Sequence, residues 1–298
     1  MRTRFKPDRG LTGRMVATGF LLGLLYVVFV AVLIVLTKSA FLAIVIAGAL
    51  LFSQYWFSDR IALYAMHGQV VTPEQAPQLH GVIDRLCALA DMPKPAVAVA
   101  DSDLPNAFAT GRSPSKAVVC VTTGLLRRLD TDELEGVLAH ELSHVAHRDV
   151  AVMTIASFLG VLAGLMTRFT LFAGVGRNRD QNTAVVALVV VLVSAAVYVL
   201  SFLLTRALSR YRELAADRSS AILTGRPSAL ASALTKVSGD MARIPTRDLR
   251  QAEAFNAFFL VPALAPGFSL SSLFATHPPL ERRIDQLGRI ARELGQPG

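Results

Sequence analysis

One stretch decides the fold: residues 130–167, DTDELEGVLAHELSHVAHRDVAVMTIASFLGVLAGLMT. Its first half is charged and its second half carries no charge until Arg168. Asp130, followed three residues later by Glu133, has the pattern of a capping box. Acids at the start also suit the helix dipole. Leu134, Val137, Leu138, Leu142 and Val145 recur at helical spacing, so a helix over 131–147 is predicted. Immediately after Arg148 and Asp149, an apolar run begins at Val150. The chain passes from a polar helix straight into a segment of membrane composition.

Working outward, three further uncharged runs appear. They are 15–37, 40–57, which ends in Tyr55, Trp56 and Phe57, and 183–205. Spanning the hydrocarbon layer takes about 20 apolar residues. The run 150–167 is short, and a buried core helix would look the same. The apolar core of 15–37 is much longer than the ~7–15 residues of a secretory signal, so an uncleaved anchor is expected. Composition agrees: 53% of the 298 residues are hydrophobic and only 17% are charged, against about 25% charged in soluble domains. The net charge of +8 would suggest nucleic acid on a soluble domain. Here the basic residues gather beside apolar runs, where they set orientation in a bilayer, and no nucleic-acid partner is expected. Arg2, Arg4, Lys6, Arg9 and Arg14 precede the first run against Asp8 alone, which places the N-terminus in the cytoplasm. Four spans then return both polar portions, 58–149 and 206–298, to that side. Arg168, Arg177 and Arg179 in the third connection run against this rule but are outweighed. Gly19/Gly23 and Gly160/Gly164 have the GxxxG spacing that permits close helix approach. Cys87 and Cys120 have neither metal nor disulfide-framework spacing and read as buried thiols.

In the first polar portion, residues 73–91 have helical periodicity through Leu79, Val82, Ile83, Leu86 and Leu89. His80 reads as a surface residue of that helix, and Pro93 and Pro95 end it. Strands are expected at 96–100 and 117–122, around a turn at 111–116.

His140-Glu141-Leu142-Ser143-His144 is an HExxH motif on the predicted helix. Residues four apart share a helix face, so both imidazoles can reach one ion. Glu141 can then act as general base for the attacking water. A site of this kind takes a third protein ligand. His147 lies about 10 Å along the axis from His140, too far to share its ion. Glu213, in SRYRELAAD (209–217), is the better candidate, on a helical continuation of the fourth run. Asp217, one turn later, can accept the outer N–H of a ligating histidine.

HELSHVAHRD, a distant ELAAD, NAFA upstream and HPPLERR near the C-terminus together make the chain resemble the HtpX family of membrane zinc endopeptidases. These are heat-shock-associated proteases of bacterial inner membranes, related to the CaaX prenyl-protein endopeptidases. The resemblance covers nearly the whole chain. It implies one zinc ion per chain on His140, His144 and Glu213, with Glu141 as base and Asp217 behind a ligand. Asn106, Ala107, Phe108 and Ala109 match an edge strand that takes substrate backbone by β-addition. His277 matches a histidine that stabilises the oxyanion, and Arg283 a basic residue on the substrate side of the same site. His277-Pro278-Pro279 also reads simply as a helix-start turn.

The expected protein is mainly α and integral to the membrane. Four transmembrane helices carry a cytoplasmic α+β catalytic portion of the zincin-like (gluzincin) type with a small β-sheet. The units are a basic tail with spans one and two (1–57), a catalytic part (58–149), spans three and four (150–205), and a C-terminal part with the third ligand (206–298). The expected activity is zinc-dependent cleavage of misfolded or damaged membrane proteins at cytoplasmic segments, in the inner membrane and under stress. Unfolded polypeptides, the lipid bilayer, and other membrane proteases or chaperones are the expected partners. The alternative is a non-catalytic membrane adaptor or chaperone with a structural metal. Residues 255–274, rich in Phe and Pro, are too irregular for a single helix and read as a lid, a lipid-facing patch or core.

Overall fold

The structure is a computed structural model, and it describes residues 9–36, 40–174, 181–241 and 277–296. Residues 255–274, read above as lid, patch or core, lie outside the described residues.

The chain opens with two apolar helices, α1 (Arg9–Leu36) and α2 (Ala40–Trp56), and a short α3 (Ser58–Ala65). Then come β1 (Gly68–Val70), α4 (Pro77–Ala90), β2 (Ala96–Ala100), β3 (Ala107–Thr110), β4 (Val118–Thr122) and α5 (Thr123–Arg128). The motif helix α6 (Thr131–Ala146) leads through a corner into α7 (Asp149–Gly174). The last described elements are α8 (Gln181–Thr224), α9 (Pro227–Met241) and α10 (Leu280–Glu293).

Among the described residues, three helices are long and apolar enough to cross a membrane: Arg9–Val32 in α1, Asp149–Arg168 in α7 and Val185–Thr224 in α8. The run at 150–167 is therefore no core helix: α7 extends over 26 residues and is mostly unburied. The second expected span, α2, has 17 residues, the lower bound for a crossing. At 44 residues, α8 is about 66 Å long, twice the hydrocarbon thickness. Its second half must project from the bilayer.

The apolar helices pack through Phe29, Leu162, Ala163, Val190 and Val197. The GxxxG pair in α7 serves that contact: a Cβ on Gly160 would stand 3.2 Å from Ser201 Oγ, and one on Gly164 would lie 3.7 Å from the Tyr198 ring. Gly19 and Gly23 face open space, so their spacing has no packing role among the described residues.

The sheet has the order β1-β2-β4-β3. β2 runs parallel to β4, while β1 and β3 pair antiparallel to their neighbours. The strands expected at 96–100 and 117–122 are present as β2 and β4, but they run parallel and are not the two arms of a hairpin. The antiparallel partner of β4 is β3, from the stretch between them, with Ala107 opposite Val121 and Ala109 opposite Val119. β1 has three residues, too few for an alternation to register in the sequence. Under the sheet, Ile83 and Leu86 of α4, Val119 and Val121 of β4, Leu138 and Leu142 of α6, Leu230 and Leu234 of α9 and Leu287 of α10 form one core. His80 belongs to the inner side, contrary to its expected surface position. The segment before α4 folds back, and His80 Nε2 lies 3.1 Å from Val71 O. Both cysteines are free and buried, and burial lifts their thiols to about 11 at Cys87 and about 12 at Cys120.

Candidate metal centre

α6 starts as its sequence dictates. Asp130 Oδ1 accepts from Glu133 N at 2.9 Å, and Glu133 Oε2 accepts from Asp130 N at 3.0 Å, the reciprocal pair of a capping box. Glu133 also accepts from Ser232 Oγ at 2.7 Å and Lys236 Nζ at 2.8 Å, which fixes α6 to α9. Further along, Gly136 lets the α9 backbone approach, since a Cβ there would stand 3.1 Å from Leu230 N. This anchored helix holds His140 and His144 one turn apart.

The two imidazoles meet edge to face, with Nε2 to Nε2 at 3.2 Å. Glu213, from the projecting half of α8, puts Oε2 3.7 Å from His140 Nε2 and Oε1 3.4 Å from His144 Nε2. One ligand atom from each of the three lies within 4.8 Å of the others. Tetrahedral zinc with bonds of about 2.05 Å separates its ligands by about 3.3 Å. Each ring's other nitrogen faces a carboxylate: His140 Nδ1 is 2.9 Å from Asp217 Oδ1, and His144 Nδ1 is 2.7 Å from Asp149 Oδ2. With the protons on the Nδ1 atoms, two Nε2 lone pairs and a carboxylate converge on one point. That donor set fits a divalent cation. Burial opposes a charge on His140, but Asp217 and Glu213 outweigh it and lift the imidazole to about 9. A cation seated there competes with that proton. Burial pushes His144 down from its ordinary value.

Behind the ligands, Asp217 is fully buried, and Arg283 grips both its oxygens, Nε to Oδ2 at 2.8 Å and Nη2 to Oδ1 at 2.6 Å. Arg283 Nη1 is also 3.8 Å from Glu213 Oε2. Arg283 was expected on the substrate side. At 2% exposure, with its fork on Asp217, it instead braces the carboxylate behind His140. Sequence reading passed over Asp149 and Arg212. Asp149 pairs with Arg212 as well as His144, and Arg212 Nη2 donates to His147 O at 3.2 Å. The signal was an acid five residues beyond the motif's second histidine, read only as the start of an apolar run. Arg148, with φ of 56°, makes the corner that lets Asp149 face back to His144. His147 is no ligand; its Nδ1 is 2.8 Å from Ser143 O.

Glu141 is 5% exposed, and burial raises its carboxyl above the usual range. Its Oε2 accepts from the Ala109 N–H at 3.0 Å. β3 is an edge strand lying against α6. Asn106 precedes it and is turned inward, bonding Thr122 through its own N–H and C=O. By antiparallel alternation Phe108 also pairs inward, with Cys120 opposite, so Ala107 and Ala109 present their backbone groups to the cleft. His277, just before α10, places Nδ1 3.0 Å from Glu213 Oε2, and its Nε2 has no hydrogen-bond partner among the described residues. The helix-start reading of 277–279 also holds, with Pro279 as the cap of α10.

Comparison with known proteins agrees. A family model described as peptidase family M48 matches residues 73–291. A Streptomyces coelicolor protein named protease HtpX homolog 1 is 67% identical over 99% of this chain and 98% of its own length. A protease HtpX homolog of Moorella thermoacetica is 53% identical over 99% of both. The crystal structure of S. mikatae Ste24p superposes with a TM-score of 0.55 at 17% identity over 89% of this chain. The chain spans 62% of that structure, and the likeness is one of fold.

Proposed function

The chain belongs to peptidase family M48 and is a membrane metallopeptidase, and from that premise we propose a zinc endopeptidase that cuts membrane proteins at segments emerging on the cytoplasmic side. The carrying observation is the convergence of His140, His144 and Glu213 beside Glu141, whose carboxylate faces the open edge of β3.

His140, His144 and Glu213 would hold the ion, with Asp217 and Asp149 fixing the two rings. A bound zinc ion supplies Lewis acidity to the scissile carbonyl and the attacking water. Glu141 takes the water's proton and delivers it to the leaving amine, and its burial-raised basicity suits that task. Substrate backbone adds along β3 through the outward groups of Ala107 and Ala109. His277 Nε2, without a hydrogen-bond partner among the described residues, is the ring nitrogen that would meet the developing oxyanion.

The placement favours membrane substrates. The apolar run of α8 ends at Thr205, and Glu213 follows about 12 Å further along the helix. Tyr55 at the end of α2 donates to Arg112 O at 2.7 Å, and the Arg112 guanidinium lies 3.9 Å over the Trp56 ring. That pair ties the end of the substrate strand to the membrane interface, where aromatic residues concentrate. The first turns of α1 lie against Leu214 and Arg218, on the side of the metal ligands. The chain leaves that side along α1 and is back on it by α3, so α2 serves as the fourth span. With the basic N-terminus inside, that side is the cytoplasm of the inner membrane. A role in removing damaged membrane proteins under stress is what the family resemblance implies for an enzyme at this address.

The test is purification with protease inhibitors and no added metal, then metal analysis and casein cleavage on wild type and Glu141→Gln. The expected result is one zinc per chain in both and cleavage only in the wild type, blocked by a chelator. Proteolysis retained in Glu141→Gln, or a chain that binds no metal, refutes the assignment.

A further inference from the structure

On the far side of the ligand-bearing turn of α8 lies a cavity of about 330 Å³ walled by three elements. Arg14 comes from α1, Leu214 and Arg218 from α8, and Arg282, Arg289 and Glu293 from α10. Four arginines less one glutamate leave a surplus of three positive charges. Glu293 pairs with Arg218 at 3.2 Å, and no carboxylate among the described residues pairs with Arg14, Arg282 or Arg289. Arg218 Nε is buried without a hydrogen-bond partner among the described residues. Unlike charges scattered on a surface, these converge from three separate helices on one concavity.

We propose that this cavity binds the phosphate headgroup of an anionic phospholipid of the leaflet facing the metal centre. Its depth argues for lipid. The first apolar run begins at Met15, directly after Arg14, and Met15 packs in one cluster with Leu22, Leu204 and Leu208. The Arg14 end of the cavity therefore lies at the rim of the hydrocarbon layer, and the Leu214 and Arg218 end extends outward from it into the zone where phospholipids carry their headgroups. Ala17, Leu21 and Leu24, exposed on α1 at three, seven and ten residues beyond Arg14, continue its face into the apolar region as a track for acyl chains. Basic pockets of this kind at a membrane face recognise acidic headgroups.

The site also has leverage. Leu214 and Arg218 directly follow Glu213 and Asp217 in sequence, and Gln286 Nε2 of α10 donates to Leu214 O at 2.8 Å. A headgroup held by Arg14, Arg218 and Arg289 clamps α1 and α10 onto the turn that carries the third ligand.

The test is lipid retention by the full chain in neutral detergent, read by native mass spectrometry, with a parallel thermal-shift series. The probes are phosphatidylglycerol, phosphatidylcholine, glycerol phosphate and inorganic phosphate. Wild type should retain phosphatidylglycerol over phosphatidylcholine and gain melting temperature from it alone. Arg14→Gln/Arg289→Gln should lose about 25-fold in phosphatidylglycerol retention, roughly fivefold per arginine. Lys116→Gln/Arg127→Gln, with the same charge change away from the cavity, should retain it as wild type does. An unchanged melting temperature of the cavity variant in phosphatidylcholine certifies its fold; if it falls, Arg289→Lys, which keeps the charge, must retain the lipid. Equal retention of the two lipids, or equal loss in both double variants, overturns the proposal. A thermal shift from inorganic phosphate as large as that from phosphatidylglycerol also overturns it, and assigns the cavity to a soluble anion. None of these readouts uses peptide cleavage, so the result stands apart from the protease reading.

Discussion

Replacing Asp217 by asparagine separates two jobs that one carboxylate performs. Asp217 is fully buried between His140 Nδ1 at 2.9 Å and the guanidinium of Arg283, itself 2% exposed. The amide keeps the shape and loses the charge. Arg283 is then a buried cation whose bidentate partner is gone, a change that costs about 3–5 kcal/mol. At about 2–4 °C per kcal/mol, the melting temperature should fall on the order of 10 °C. Separately, the His140 ring is left with a neutral amide oxygen in place of the carboxylate whose charge raises its basicity, which costs about 10–100-fold in metal affinity. The second variant is Asp217→Asn/Arg283→Met, which removes the stranded charge at similar length. It should recover most of the melting temperature and none of the metal affinity. The assay is thermal unfolding of the purified chain in detergent, with zinc affinity from competition against a chromophoric chelator. Wild-type affinity in Asp217→Asn would refute the orienting role. A double variant as unstable as the single one would refute the stranded-charge account.

Gly124 opens α5 against the chain at Asp103, and a Cβ there would stand 2.3 Å from Asp103 O. Gly124→Ala should therefore destabilise by about 1–3 kcal/mol, read as a lower melting temperature. Burial alone would raise the Glu133 carboxyl, but hydrogen bonds from Lys236, Ser232 and Asp130 N outweigh it and hold the group below its ordinary 4.5. A depressed folded value means stability that is complete above about pH 4.5 and is lost as pH falls through the folded value. Glu133→Gln should flatten that acid limb in a melting-temperature series; an unchanged limb would assign it to other carboxyls. Ala109→Pro removes an N–H that points into the cleft, whereas Phe108→Pro removes one that pairs with β4. The first should keep the fold and cut cleavage about tenfold, the second should lower stability, and equal effects on both measures would contradict the assigned strand edge.

The parts of this molecule legible in the sequence are those whose cause is local. The capping box of α6 rests on residues three apart, and the two histidines on residues four apart, so spacing alone placed them. Asp217 was legible for the same reason, lying one turn from Glu213. Arg283 was misjudged because its burial depends on α10 docking against α8, a contact between residues 66 apart. His80 was misjudged because its partner, Val71 O, lies in a segment without periodicity. Asp149 was hidden by its position at a helix start, where an acid has a sufficient local explanation in the dipole. Only the left-handed turn at Arg148 sends it back toward His144.

The length of α8 ties these observations together. Its first half packs against α7 through the surface that Gly160 and Gly164 leave open, and Thr205 Oγ1 donates to Ala156 O at 3.2 Å across that contact. Its second half carries Glu213 and Asp217 with no break in the helix. The two histidines reach the same point from α6, which is joined to α7 through the single corner at Arg148. Both halves of the candidate metal centre are thus extensions of one hairpin of apolar helices, so the packing of α7 and α8 bears on the separation of the ligands, beside the direct α6–α8 contact in which Ser220 Oγ donates to Gly136 O at 2.7 Å. A perturbation of that packing should therefore act on the metal across the intervening helix. Gly160→Leu, pushed against Ser201, should weaken zinc binding without touching a ligand, and normal zinc affinity in that variant would show that the polar core alone sets the site.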